Sequence, residues 1–154
     1  MKKSLQPFKA MLKIAAGFAF ILPTVATAQA QISTNNIQVG LFYPISSNGV
    51  KASSDTNAVS INLISGISAE ETAFTFAGVT NVIRKNASGV QFAGFSNHVG
   101  GESEGVLFAG FANTYARGRG LQFAGFSNFA REKVSGAQFA GFLNRAADVD
   151  GFQF

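Results

Sequence analysis

A six-residue phrase, Phe-Ala-Gly-Phe/Val-x-Asn, begins at Phe76, Phe92, Phe108, Phe123 and Phe139 and starts a sixth time at Phe154. The steps between copies are 16, 16, 15, 16 and 15 residues. A unit this short cannot bury an apolar face alone, so a regular period of this length means that each copy packs on the next. Aligned on its first Phe, the full unit reads Gly-x-Gln-Phe-Ala-Gly-Phe-x-Asn. Its leading glycine is Gly89, Gly105, Gly120, Gly136 and Gly151, and its second is Gly78, Gly94, Gly110, Gly125 and Gly141. The second aromatic is Phe95, Phe111, Phe126 and Phe142, with Val79 in the atypical first copy, and the asparagine is Asn81, Asn97, Asn113, Asn128 and Asn144. Gln91, Gln122, Gln138 and Gln153 fill the slot before the first Phe.

Phe and Val at this density, punctuated by glycine, favour strand, because a helix would lose about 1 kcal/mol for each glycine it absorbed. The expected fold class is therefore all-β, and two architectures fit the period. In a β-solenoid each unit is one coil, coils stack about 4.8 Å apart, and equivalent residues form ladders of Phe on Phe and of Asn or Gln on their own copies. In an antiparallel meander or an outer-membrane-type β-barrel, each unit is one strand and a turn. Side-chain direction favours the solenoid. Phe92 and Phe95 are three apart, so a straight strand sends them to opposite faces. A corner at Ala93-Gly94 would let both enter one core. On that reading Gly110→Val costs several kcal/mol, by a corner clash or a positive φ. The variable stretches, such as His98 to Glu104 and Tyr115 to Arg119, read as turns or solvated edges.

The ends divide the chain into three parts. Residues 1–30 read as an export signal: Lys2, Lys3, Lys9 and Lys13 are followed by the uncharged stretch Ile14 to Val25 and by small residues that fit cleavage after Ala28 or Ala30. Residues 31–72 hold irregular strands near 37–42 and 58–64 that can cap the stack, and residues 73–154 hold the repeats, the last incomplete. Four of the twelve Lys and Arg lie in the leader and all eight acids lie after it, so the chain beyond the leader is formally neutral. A neutral chain with alternating charge lacks the basic face that phosphate backbones need, which argues against a nucleic-acid partner. Cysteine is absent, so disulfides, thiolate metal sites and a cysteine-linked lipid anchor are excluded.

Reactive groups are sparse. The one histidine, His98, falls in a variable stretch, and Thr114, Phe129 and Arg145 take its place in later copies, which argues against a triad. The acid pairs Glu70-Glu71, Glu102/Glu104 and Asp148/Asp150 read as solvated turn charge, since the glycine-rich repeats of calcium-binding solenoids are missing. No phosphate loop or metal-spaced cluster occurs. The expectation is no enzyme, no catalytic residue, no cofactor and no metal. The recurring Asn and Gln are expected to bond internally.

The stretch from Thr56 to Gly66, followed by Phe74 to Asn81 and the tandem units, resembles the exported surface-repeat proteins of Bacteroides-like Gram-negative bacteria. That resemblance implies a place at the cell surface, in the outer membrane or in the periplasm, and carries no catalytic residue. The resulting expectation is a non-enzymatic exported repeat protein with a structural or interaction role. A small outer-membrane barrel and a fibre-forming matrix protein stand as alternatives. The partner is unknown, with a cell-envelope component, a membrane, or self-association through an open C-terminal edge as the candidates. Phe154 stands where the next unit begins, so the last coil is expected to be uncapped, from a truncated product or for a partner to complete.

Overall fold

The computed structural model describes residues 36–154, and the expected leader lies outside the described residues. The chain opens with β1 (Ile37–Phe42), β2 (Ile45–Ser46) and a 3-10 turn over Gly49–Ser54. Long and short strands then alternate: β3 (Thr56–Asn62), β4 (Ser65–Ser68), β5 (Glu70–Ala77), β6 (Thr80–Ile83), β7 (Ala87–Ala93) and β8 (Ser96–Val99). The pattern continues through β9 (Glu102–Ala109), β10 (Ala112–Tyr115), β11 (Arg117–Ala124), β12 (Ser127–Ala130), β13 (Lys133–Ala140), β14 (Leu143–Arg145) and β15 (Asp148–Gln153). The long strands form one sheet with β1 and β2, and the short strands form a second, six-stranded sheet. Each coil is thus one long strand, a corner, one short strand and a turn.

Pairing within both sheets is parallel apart from the β1–β2 contact, which rules out the antiparallel meander and the barrel. Equivalent residues of the repeat lie directly over one another: Gly89, Gly105, Gly120 and Gly136 pair in series, as do Phe92, Phe108, Phe123 and Phe139. The chain is a β-solenoid with coils of about 16 residues. The changing period is absorbed opposite the phrase, where a single residue, Ala116, joins β10 to β11 but two, Gly100 and Gly101, join β8 to β9. Stacking also starts upstream of the phrase, because β3 and β4 already make a full coil.

The corner expected at Ala93-Gly94 is present, but it turns the aromatics the other way. Gln91, Ala93 and Asn97 are buried while Phe92 and Phe95 are exposed, so the Phe pair coats the outside of the solenoid and does not enter the core. Hydrogen bonding explains the inversion. At the corner the carbonyl of the first Phe takes a second hydrogen bond from the Asn amide one coil earlier, beside the ladder bond seen at Phe154 O, which accepts from Ala140 N at 2.9 Å. Asn81 Nδ2 donates to Phe92 O, Asn97 to Phe108 O and Asn113 to Phe123 O, each at 2.8 Å. The same amides link to one another, Asn81 to Asn97, Asn97 to Asn113 and Asn113 to Asn128, each Nδ2–Oδ1 distance being 2.9 Å. An apolar residue in this column would remove both the second bond to the corner carbonyl and the link to the next Asn.

Both glycines of the unit are forced, for different reasons. The leading glycines have positive φ, for example 111° at Gly120, whereas the second glycines do not. A Cβ on Gly110 would lie 2.1 Å from the Gly94 carbonyl oxygen, so the expected intolerance of Gly110 arises from close approach at the corner and not from φ.

The apolar part of the interior lies at the opposite corner, where Ile83, Val99, Leu107, Tyr115 and Val134 pack together. Volumes compensate there: a Cβ on Gly118 would come within 2.6 Å of the Tyr115 ring, so the largest buried side chain sits against the smallest neighbour. Tyr115 Oη accepts from Gln138 Nε2 at 2.5 Å, and burial pushes the phenol pKa up. Leu107 interrupts the column Gln91, Leu107, Gln122, Gln138, Gln153, and both amide atoms of buried Gln122 lack a protein partner. The stretches expected to be turns are therefore largely strand, with Val99, Ser103 and Tyr115 pointing inward.

Toward the N-terminal end the interior becomes polar, with Gln38, Asn57, Ser60, Asn62, Ser68, Glu71 and Thr75 all buried. Glu71, expected to be solvated turn charge, is only 2% exposed. Ser60 Oγ donates to its Oε1 at 2.6 Å and Asn57 Nδ2 at 3.2 Å, while Oε2 has no partner at bonding distance. Burial raises the Glu71 pKa above its ordinary 4.5, against the opposing pull of Ser60, Ser68, Asn57 and Thr75. The folded state then holds the Glu71 proton to higher pH than the unfolded chain does. Stability is unaffected at pH values below the ordinary carboxylate range and falls as pH rises through that range, until the folded-state pKa is passed. Glu71→Gln keeps the Oε1 acceptor and removes the titration. Its melting temperature is expected to exceed that of the wild type at neutral pH and to match it near pH 4. A variant less stable than wild type at neutral pH would show that the charged form is the one the fold prefers.

Candidate functional site

The phrase builds an exposed aromatic edge. Phe92, Phe108, Phe123, Phe139 and Phe154 form one ladder, with successive centroids 4.8 to 5.1 Å apart and planes within 8° of parallel. Phe95, Phe111, Phe126 and Phe142 form a second ladder around the corner, at 4.8 to 4.9 Å. The spacing is the strand separation itself, so the rings stack because the backbone does, and each pair adds about 0.5–1.5 kcal/mol beyond area burial. The ladders leave one flank of every ring in water: Phe95 is 51% exposed and Phe111 41%. Beside the first ladder the Ala-Gly corners floor an open groove of about 370 Å³ along Phe108, Phe123, Phe139 and Phe154.

The apolar surface is longer and wider than the phrase. Ile61 pairs with Phe76, and Phe76 with Phe92, which carries the first ladder's column into the upstream coils. Ile64 and Val79 precede Phe95 in the second column through the backbone bonds Val79 N to Ile64 O and Phe95 N to Val79 O. A third outward column on the long sheet runs Phe74, Val90, Val106, Leu121, Ala137, Phe152. Attention to Phe alone hides these columns, because the upstream coils use Ile and Val in the same slots.

A charged rim borders this surface. Arg119 bridges Glu102 at 3.1 Å and Glu104 at 3.5 Å, Arg117 bridges Glu132 at 2.6 Å, and Lys133 lies between Asp148 and Asp150. These groups are exposed apart from the half-buried Glu102, so each pair adds little to stability, and their effect is to keep that side of the long sheet hydrated.

His98 lies in strand β8 and not in a turn, facing outward from the short sheet. Its Nδ1 is 2.6 Å from Thr114 Oγ1, and the column continues through Phe129 to Arg145, whose guanidinium sits 5.3 Å from the Phe129 centroid. This matches the equivalence expected from the spacing. No carboxylate shares that column. Among the described residues no three His, Cys, Asp or Glu side chains gather as a metal site. No helix among them is long and apolar enough to cross a membrane.

The structure places every phrase residue as part of one continuous feature: glycines and Asn as its frame, Phe as its surface. No family model matches the chain, and neither a curated protein nor a solved structure is found to be similar to it.

Proposed function

We propose that this is a non-enzymatic, exported repeat protein of the bacterial cell envelope or surface, in which the solenoid is a scaffold and the aromatic edge a docking surface. One observation carries the docking role: the most regular large side chains of the repeat form a continuous, partly exposed apolar strip, larger than the scattered apolar residues a soluble surface normally shows. Export rests on the leader-like residues 1–30 and on the resemblance of the repeats to exported surface-repeat proteins. The solenoid geometry also removes the reason for an outer-membrane barrel.

Expression of the full chain in a Gram-negative host, followed by fractionation and mass spectrometry of the N-terminus, tests the placement. The expected product begins after Ala28 or Ala30 and lies outside the cytoplasm. Full-length protein retaining Met1 in the cytoplasm would overturn the export reading.

A further inference from the structure

We infer that the apolar face of the long sheet binds a second copy of this chain, giving a side-by-side dimer in which two flat ladder surfaces lie against each other. The inference rests on the reading of this face as a docking surface and names its partner. Three features select a second copy.

The first is pitch. Any partner must match a surface whose apolar side chains repeat at 4.8 Å along the solenoid axis in at least two columns, those of Leu121 and of Phe123. A second copy has that repeat in every coil. A two-fold axis perpendicular to the solenoid axis therefore brings all rungs into register at once, with the same patch used on both sides. Sheets packed face to face in this way lie about 10 Å apart and interdigitate their outer columns.

The second is area. Roughly ten partly exposed Phe, Ile and Leu side chains, each leaving on the order of 80 Å² in water, amount to about 800 Å² per copy, which is the area a stable dimer of standard size requires.

The third is the border. The exposed Arg119 and Glu104 lie beside the Leu121 column and stay hydrated, so the apolar strip has a charge-depleted centre and a polar rim along that side, as an interface does.

Sedimentation velocity of the purified protein over a micromolar concentration series, together with Leu121→Glu and with two single-cysteine variants, tests the inference. Leu121 is central and 41% exposed, and the natural chain has no cysteine, so each introduced thiol reports alone. The wild type is expected to dimerise. Leu121→Glu is expected to weaken the dimer about 100-fold or more, with unchanged circular dichroism. Leu121→Cys is expected to be captured as a covalent dimer by a thiol-to-thiol cross-linker spanning the roughly 10 Å between the sheets, whereas Lys85→Cys, in an exposed turn at the far corner, remains monomeric. Cross-linking through Leu121→Cys keeps the inference testable even if Leu121→Glu fails to fold.

A folded wild type that stays monomeric overturns the inference, and flotation with lipid vesicles then separates two failures. Binding to vesicles, abolished by Leu121→Glu, would mean that the face docks on a lipid surface and the docking reading survives. A monomer that ignores vesicles would remove the support for that reading as well. A dimer that persists in Leu121→Glu and cross-links through Lys85→Cys also overturns the inference, by placing the contact elsewhere.

Discussion

Gly120→Ala is expected to lower stability by about 3–5 kcal/mol, a loss that adding one methyl group at an ordinary strand glycine would not produce. Two independent constraints meet at this position. Its φ of 111° is a conformation essentially restricted to glycine. Its Cβ would also lie 2.2 Å from the Gly105 carbonyl oxygen, a backbone atom that cannot swing aside. Relief requires the coils to separate locally, which breaks the ladder bonds on both sides. Gly49→Ala is the control, since Gly49 has a φ of 54° with nothing within 4 Å of a new Cβ, and it should cost only about 1 kcal/mol. Urea unfolding of the three proteins checks the contrast. Equal losses for the two variants would mean that coil contact at Gly120 is looser than described.

Asn113→Asp should be comparably damaging at neutral pH. The replacement keeps the shape of the side chain but turns its amide donor into an acceptor, facing Phe123 O at 2.8 Å and Asn128 Oδ1 at 2.9 Å. A buried carboxylate with acceptors on two sides is expected to cost about 4 kcal/mol or more at neutral pH. The loss has a definite pH dependence. Burial and facing acceptors raise the pKa of the new acid in the folded state, so stability is recovered as pH falls through that pKa and the protonated carboxyl regains one donor. Thermal melts from pH 4 to pH 8 read this directly. A variant as stable as the wild type at neutral pH would show that the Asn column is not hydrogen-bonded as described.

The period, the corner at Ala93-Gly94 and the ladder register were legible in the sequence because they depend only on which residues recur and how far apart. The direction of the side chains was not. Alternation along a strand fixes direction only relative to a neighbour, and the corner resets it, so Phe92 and Phe95 could be expected on the same side without the side being known. The habit of placing Phe inside then points the wrong way. What decides is the Asn amide, which bonds inside the corner both to the carbonyl of the next coil and to the next Asn, and so holds Asn97 and Asn113 inward and leaves the rings outside.

Glu71 was misjudged for a related reason. Next to Glu70 and beside a turn it looks solvated, yet Glu71 lies over Asn57 in an inward column whose later members are Ala87 and Ser103. Nothing in a Glu-Glu pair signals which of the two faces the interior. The apolar strip was half visible. Its Phe rungs stood out, while Ile61, Ile64 and Leu121 lacked a repeated identity and became part of it only when register aligned them.

The most direct test of the parallel, in-register coil is nuclear Overhauser spectroscopy of the labelled protein. Cross-strand backbone contacts are expected at a constant offset of one coil: Gly105 with Gly120, Phe108 with Phe123 and Asn113 with Asn128, alongside contacts of Phe123 with Phe139 and of Asn81 with Asn97. A set of contacts in which one residue number rises as its partner's falls, the signature of antiparallel hairpins, would contradict the parallel coil.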